Sequence, residues 1–256
     1  MLSINDNGAI AGCFGSGMPA TTHPNKGYVL RGPYGQANYT NEIFPGSAQT
    51  QVTGINVSGA TCASYADAAG DNFGFVLKNG VWTVVIDPHA SGTVNQLLGL
   101  NDNGVAVGFY NDSKGDSHGY GFNVHADTFS LVTVPGATSV TPTGINMAGD
   151  VSGFYVNAKG NTVAFLLRGG KLTSFSARGS TNTMALGVNN CDVFVGTCAG
   201  SGSSTHGFIW SDRTLRTVDD PHGIGTTTIN GLNDNGDIVG FYSVGSIVDG
   251  FLAVPS

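Results

Sequence analysis

A segment of about twelve residues recurs six times in this 256-residue chain, and this repetition limits the folds that the chain can adopt. Each copy approximates Gly-Ile-Asn-Asp-Asn-Gly-x-Ile-Val-Gly-Phe-Tyr. The copies occupy residues 3–14, 54–65, 99–110, 144–155, 187–198 and 231–242, so that one copy follows another after about 46 residues. This period suits a propeller blade of four β-strands. The sequence therefore predicts a ring of six blades built from one kind of repeat.

Each copy predicts a β-hairpin, in which an apolar strand and an alternating strand flank an Asn/Asp/Gly turn such as residues 101–104. Gly104 and Gly236 are expected to supply the positive φ that such a turn needs. A third strand follows every hairpin, and a fourth strand that ends near Pro or Gly follows only five of them. The sequence thus predicts 23 strands, with the outermost strand missing from the sixth blade.

The composition favours an all-β protein, because 40 residues are Gly, only 11% are charged, and Glu42 is the one glutamate. The predicted fold class is therefore an all-β, six-bladed β-propeller of about 46-residue repeats in a single domain over residues 1–256. A β-solenoid is the first alternative, but its coils are shorter than this period. A two-sheet sandwich is the second, but it does not require sixfold repetition.

Charge and hydropathy exclude two classes of partner. The net charge is −7 and the basic residues are scattered singly, so the chain lacks the basic patch that a nucleic-acid backbone requires. No apolar run approaches 18 residues, so no membrane span is predicted. We separately expect a monomer. The N-terminal residues do not read as a signal peptide. Of the four cysteines, only Cys191 and Cys198 are close enough in sequence to form a local disulfide.

The repeats resemble the bacterial HAF repeat, a family of probable extracellular repeats in which a His-Ala-Phe-Leu/Trp strand alternates with a Gly-Ile-Asn-Asp-x-Gly-x-Val-Val-Gly hairpin. Residues 206–210 followed by 231–240 carry this resemblance most clearly, and residues 118–120 preserve the His-containing strand. Lys26, Phe73, Val163 and Asp249 stand where the family has histidine. The resemblance implies an extracellular or periplasmic propeller and supplies no catalytic residues.

The alternation of strands places two kinds of connection on opposite faces of the ring. The Asn/Asp/Gly turns and the connections between third and fourth strands are expected on one face, which we term the turn face. The longer second-to-third-strand loops and the crossovers between blades are expected on the other, which we term the loop face. Binding and catalytic residues are concentrated on such loops. Five of the six histidines are predicted there: His23, His89, His118, His206 and His222.

The most notable pattern on the loop face is Asp-Pro-His, which occurs at residues 87–89 and 220–222. These two crossovers are three blades apart, and are therefore opposite in a ring of six. Aspartate and histidine side chains can bind a divalent cation or transfer a proton. The alternative is a turn in which Asp caps the backbone and Pro fixes φ. The other crossovers lack the motif, which argues against a shared structural need.

The sequence therefore predicts a binding propeller for a small molecule, glycan or protein, with its site on the loop face at the mouth of the channel. Its candidate residues are Asp87, His89, His118, His206, Asp220 and His222. The alternative is an enzyme, a hydrolase, lyase or cyclase, that uses His and Asp as acid and base or holds a divalent cation. The chain has no G-x-S-x-G, Walker or H-E-x-x-H motif. A structural role in a larger extracellular assembly is the third option.

Overall fold

The structure, a computed structural model, describes residues 1–15, 24–199 and 202–255. These residues form 23 β-strands and one short 3-10 helix, and the strands make six antiparallel sheets. The predicted all-β, six-bladed propeller is confirmed. Within the described part of the chain, no helix has the length and apolar character needed to cross a bilayer.

The first three blades have four strands each. The first blade contains β1 (Ser3–Ile4), β2 (Ile10–Phe14), β3 (Lys26–Leu30) and β4 (Tyr39–Glu42), and the 3-10 helix Gln36–Asn38 precedes β4. The second blade contains β5 (Gln49–Ile55), β6 (Thr61–Ala66), β7 (Asn72–Lys78) and β8 (Val81–Val85). The third blade contains β9 (Asn95–Leu100), β10 (Val105–Asn111), β11 (Ser117–Asn123) and β12 (Thr128–Val132).

The next two blades repeat this pattern and the last one stops at three strands. The fourth blade contains β13 (Ser139–Ile145), β14 (Val151–Val156), β15 (Thr162–Arg168) and β16 (Lys171–Phe175). The fifth blade contains β17 (Thr183–Val188), β18 (Phe194–Ala199), β19 (Thr205–Ser211) and β20 (Thr214–Val218). The sixth blade contains β21 (Thr228–Leu232), β22 (Ile238–Val244) and β23 (Ile247–Ala253). The missing strand is the outermost one, as predicted, so β23 forms a sheet edge among the described strands.

The first strand of each blade lies at the axis of the ring. In five blades this strand has a β-bulge opposite the second strand, and the bulged residue projects into the axial channel; these residues are Thr53, Leu98, Thr143, Leu186 and Asn230. A glycine follows each bulge because the inner strands approach closely there. A Cβ atom on Gly99 would lie 2.9 Å from the carbonyl oxygen of Thr143, so a side chain at this position would collide with the next blade.

Apolar side chains from adjacent blades form the core between them. One cluster combines Ala11 and Val29 of the first blade with Val52, Ala63 and Phe75 of the second. Both faces of each sheet are therefore buried, which explains the apolar residues at consecutive strand positions. A blade of this kind cannot bury its own apolar surface without its neighbours.

A closed circle of six asparagine side chains joins the blades on the turn face. The side-chain amide Nδ2 of the leading Asn of each blade donates to the backbone oxygen of the leading Asn of the next blade, over 2.8 to 3.3 Å; these residues are Asn5, Asn56, Asn101, Asn146, Asn189 and Asn233. All six are buried. The last of these bonds runs from Asn233 to Asn5, so the sixth blade contacts the first as predicted.

The same asparagines also hold their own turns. The side-chain oxygen of Asn101 accepts the backbone N–H of Val105 at 2.9 Å, and the five other blades repeat this bond. Gly104 and Gly236 have φ values of +74° and +86°, which confirms the expected positive φ. The repeated turn sequence therefore specifies both a tight hairpin and the contact between blades.

Candidate functional site

The structure places the four described candidate histidines on the loop face. The second-to-third-strand loops and the crossovers meet there, since the first residue of β7, Asn72, forms a parallel bridge with Val94 of the next crossover. His125 lies on the turn face, where its ring is beside Gly104. His23 lies outside the described residues.

Each of these four histidines forms a side-chain hydrogen bond with an aspartate of its own blade or crossover. The nitrogen–oxygen distances are 3.0 Å for His89 and Asp87, 3.0 Å for His118 and Asp112, 2.7 Å for His206 and Asp219, and 3.1 Å for His222 and Asp220. The side chains of His89 and His222 are 75% and 77% exposed. In these two pairs a carboxylate orients a ring that is open to solvent.

The Asp-Pro-His motif forms a β-turn, and the other crossovers that follow a fourth strand also form β-turns with the same backbone hydrogen bond. In all five the first residue accepts a backbone hydrogen bond from the fourth, over 2.9 to 3.2 Å; the first residues are Phe44, Asp87, Val134, Ala177 and Asp220. The expectation that the other crossovers have no comparable need was therefore wrong. Asp87 and Asp220 also accept the backbone N–H of the histidine two residues later, each at 2.9 Å.

The backbone conformation at the third position of these turns takes two forms, each with its own residue choice. Gly46, Gly136 and Gly179 occupy its third position with φ of +76° to +78°, as a type II turn requires. His89 and His222 occupy the same position without a positive φ. An aspartate at the first position favours the type I turn, which accepts a non-glycine residue at the third. The Asp side chain thus allows an imidazole where three other crossovers have Gly.

The structure brings His89 and His118 together beside Tyr110. All three line a cleft of about 360 Å³ between the second and third crossovers. The rings of Tyr110 and His118 stack with centroids 5.2 Å apart and an interplanar angle of 22°. Burial first, and then the charges of Asp87 and Asp112, raise the pKa of the Tyr110 hydroxyl. Of the predicted residues, His89 and His118 therefore line one cleft, and Asp87 contacts His89.

A related arrangement occurs three blades further on. The ring of His222 stacks on Tyr242, with centroids 6.0 Å apart and an interplanar angle of 26°. Desolvation first, and then the charges of Asp249 and Asp220, raise the pKa of Tyr242. The two Asp-Pro-His motifs therefore serve separate junctions between blades, with a tyrosine at each.

His206 lies apart from both clusters, in the fifth blade. Its cross-strand neighbour is Cys198, and its ring contacts Asp219. Burial, and secondarily the charge of Asp219, raise the pKa of the Cys198 thiol, which favours the protonated form. All four cysteines are free thiols, so Cys191 and Cys198 are not joined.

The predicted position at the channel mouth differs from what the geometry shows. None of the four described candidate histidines lines either of the two cavities along the axis. Throughout residues 1–15, 24–199 and 202–255, no three His, Cys, Asp or Glu side chains are grouped as a metal site would require. The described candidates are therefore distributed among blade junctions.

Sequence reasoning missed the tyrosines, Tyr110 and Tyr242, although a signal for them was present. Both follow Gly-Phe in a second strand, and both stand directly across the strand pair from a position where the repeat family has histidine. Cross-strand neighbours on one face of a sheet contact each other. Aligning the six copies against their third strands would have paired Tyr110 with His118.

Comparisons with known proteins support the fold. No family model matches the chain, and no curated protein matches it in sequence. TolB from Acinetobacter baumannii is similar in structure, with a TM-score of 0.64 and 9% identity over 96% of this chain and 63% of that protein. This chain thus spans less than two thirds of the length of TolB.

Two further solved structures are similar over more of their own length. The Aleuria aurantia lectin has a TM-score of 0.57 and 11% identity, with 98% of this chain and 90% of the lectin covered. A chain of the Nidogen/Laminin complex has a TM-score of 0.56 and 10% identity, with 95% and 93% covered. These neighbours are β-propellers. Membership of the HAF-repeat family remains a hypothesis based on the residues quoted above.

Proposed function

We propose that this chain is a non-catalytic binding propeller that holds a glycan in the cleft of the third blade. The observation that carries the proposal is the grouping of His89, Tyr110 and His118 in a concave site of about 360 Å³. This volume lies within the range of about 300–1,000 Å³ that is usual for small-molecule sites.

The lining of the cleft matches the two surfaces of a sugar ring. Val132, Val134 and Val140 form buried apolar walls, which suit the C–H face of a pyranose. His89 and His118 present imidazole nitrogens, which donate to or accept from hydroxyl groups. Because Asp87 and Asp112 hold these rings by hydrogen bonds, little conformational entropy is lost when a ligand binds.

One structural neighbour supports the choice of a glycan. The Aleuria aurantia lectin was solved in complex with Fucα1-6GlcNAc, and a related structure is described as a six-bladed β-propeller with a novel mode of fucose recognition. The shared fold does not transfer that specificity to this chain. It makes fucosylated and other neutral oligosaccharides the first ligands to test.

The experiment is a glycan array followed by calorimetric titration of the best ligand. Replacing His89 and His118 together with Ala is expected to weaken binding at least tenfold, since roughly 1.4 kcal/mol or more of hydrogen-bond energy is lost. The control is His125→Ala on the turn face. Unchanged binding in the double variant would exclude this cleft, and absence of any hit from the array would remove the glycan proposal.

The second Asp-Pro-His motif, at residues 220–222, suggests a second double variant for this experiment. If Asp220, His222 and Tyr242 form a second site, replacing His89 and His222 with Ala should abolish binding while the fold stays intact, because both rings are exposed. A ligand located on the turn face would contradict the proposed location for both sites.

The enzyme alternative is favoured by one observation, the 2.7 Å contact between His206 Nδ1 and Asp219. A carboxylate that orients an imidazole in this way leaves the other ring nitrogen available as a general base. For this alternative, mass spectrometry of the incubated ligand should detect a product, and His206→Gln should suppress it. A divalent cation is a further hypothesis, to be tested by metal analysis of the purified protein.

Location and assembly are also proposals. We propose an extracellular or periplasmic monomer in a single domain over residues 1–256. Cell fractionation tests the location, light scattering tests the mass, and a single unfolding transition by calorimetry tests the domain organisation.

A further inference from the structure

The axis of the propeller contains an apolar chamber that the proposed glycan cleft does not use. Its volume is about 400 Å³, and its walls include Leu2, Leu98, Leu186, Phe109 and Phe154. The leucines come from the innermost strands of the third and fifth blades and from the residue before β1. The phenylalanines come from the second strands of the third and fourth blades. These side chains are half-buried and in contact with the interior space of the ring.

The axial residues alternate between apolar and polar from blade to blade. Thr53, Thr143 and Asn230 stand between the three leucines. Each of the three donates to a backbone oxygen of the next blade: Thr53 to Leu97 at 2.7 Å, Thr143 to Ala185 at 2.8 Å, and Asn230 to Met1 at 3.0 Å. The hydroxyl protons of both threonines and one of the two amide protons of Asn230 are therefore engaged within the protein. The chamber wall presents apolar surface in half of the blades and already-bonded polar groups in the other half.

Water in such a chamber forms few hydrogen bonds with its walls. Displacement of poorly bonded water by an apolar group is favourable, and cavities lined by leucine and phenylalanine bind apolar molecules. We propose that this chamber is a binding site for one uncharged, ring-containing apolar molecule. Its volume lies within the range of about 300–1,000 Å³ for small-molecule pockets.

The charge around the channel favours a neutral ligand over an anion. On the turn face the axial cavity continues as a polar space of about 110 Å³, with Asp6, Asp102 and Asp234 among its lining residues. The protein as a whole carries a net charge of −7. An anionic amphiphile such as a fatty acid would be repelled by these carboxylates, whereas a neutral aromatic compound has no such penalty.

The chamber is separate from the glycan cleft, with Ser117 as their common wall. Its side chain donates to Asn111, and its backbone N–H donates to Ser139, so that Ser117 is held in place between the two spaces. The inference therefore does not depend on the glycan proposal.

The experiment uses the full chain and the neutral fluorescent probe N-phenyl-1-naphthylamine. Fluorescence titration is expected to show saturable binding of one probe per chain. Replacing Leu98 and Leu186 together with Gln should weaken binding at least tenfold, because two amide groups then need water that the probe displaces. Leu186→Trp provides a second variant that fills the chamber with apolar atoms and should also exclude the probe.

Two controls separate this result from misfolding and from the glycan cleft. Leu131→Gln changes a leucine that is 69% exposed on the outer strand β12 and should leave probe binding unchanged. The His89 and His118 double variant should bind the probe as the unmodified protein does. Absence of saturable 1:1 binding, or full binding by both chamber variants with unchanged melting temperatures, would overturn the inference.

Discussion

The asparagine circle gives a prediction whose size follows from its geometry. In Asn101→Ala, two groups lose a partner: the backbone N–H of Val105, bonded at 2.9 Å, and the backbone oxygen of Asn146, bonded at 2.9 Å. An unsatisfied buried polar group costs about 1–3 kcal/mol. Val105 is half-buried, and the buried backbone oxygen of Asn146 keeps its hydrogen bond from the N–H of Gly149 at 3.1 Å. Only one group is therefore left unsatisfied, and the free energy of unfolding should fall by about 1–3 kcal/mol.

For a chain of this size, 1 kcal/mol shifts the melting temperature by about 2–4 °C. Asn101→Ala should therefore lower it by roughly 2–12 °C, as measured by calorimetry or circular dichroism. The matched control is Asn103→Ala in the same turn, which removes an exposed bond to the backbone oxygen of Met147. Such a surface change is expected to alter the free energy of unfolding by about 0.5 kcal/mol or less.

The variant Asn101→Asp separates the two bonds of this asparagine. Aspartate keeps an acceptor for Val105, but when ionised it places a carboxylate oxygen opposite the carbonyl of Asn146. Burial and this repulsion should raise the folded-state pKa of the new carboxyl above its unfolded value. Its penalty is then full at neutral pH and decreases as the pH falls through the raised pKa. Equal stability of Asn101→Ala and Asn103→Ala would refute the role assigned to the circle.

Two further predictions concern single residues. Gly104→Val should lower the free energy of unfolding by about 1 kcal/mol or more, because φ is +74° and a Cβ would lie 2.8 Å from the His125 ring; an unchanged melting temperature would contradict this. Burial raises the pKa of Glu42, so its ionised form destabilises the fold above that pKa. Glu42→Gln, which can still accept the 2.5 Å hydrogen bond from Thr61, should therefore be more stable than the unmodified protein at pH 7, with the difference decreasing toward pH 4; a difference that does not vary with pH would argue against burial as the cause.

The sequence predicted the ring because its repeat has a strong local signal. The turn residues at 101–104 and their five counterparts specify a hairpin from local backbone preferences alone. Counting the strands that follow each hairpin gave six blades and the missing outer strand. The absent strand is the outermost one only if the first strand of each blade is innermost, and the axial position of Leu98 and Leu186 confirms this.

The contacts between blades could not be predicted in the same way. The repeated Asn was assigned only to the turn, because its second bond reaches a backbone oxygen about 45 residues away. The crossover turn was also missed, since Asp-Pro-His and the turns with glycine at the third position look unrelated as sequences, yet both make the same hydrogen bond with different φ values. The cleft brings His89 of the second crossover beside Tyr110 and His118 of the third blade, although His89 and His118 are 29 positions apart in the chain.

The asparagine circle also bears on how the chain can be connected. The junction between the sixth and first blades carries the same Asn233-to-Asn5 bond as the five junctions that a crossover bridges. The contact between adjacent blades therefore does not require that the chain connects them. In a circular permutant opened at another crossover, with the original ends joined, the new junction without a crossover would have the same Asn-to-Asn hydrogen bond. In such a protein the order of the blades along the chain changes while their order around the axis is preserved.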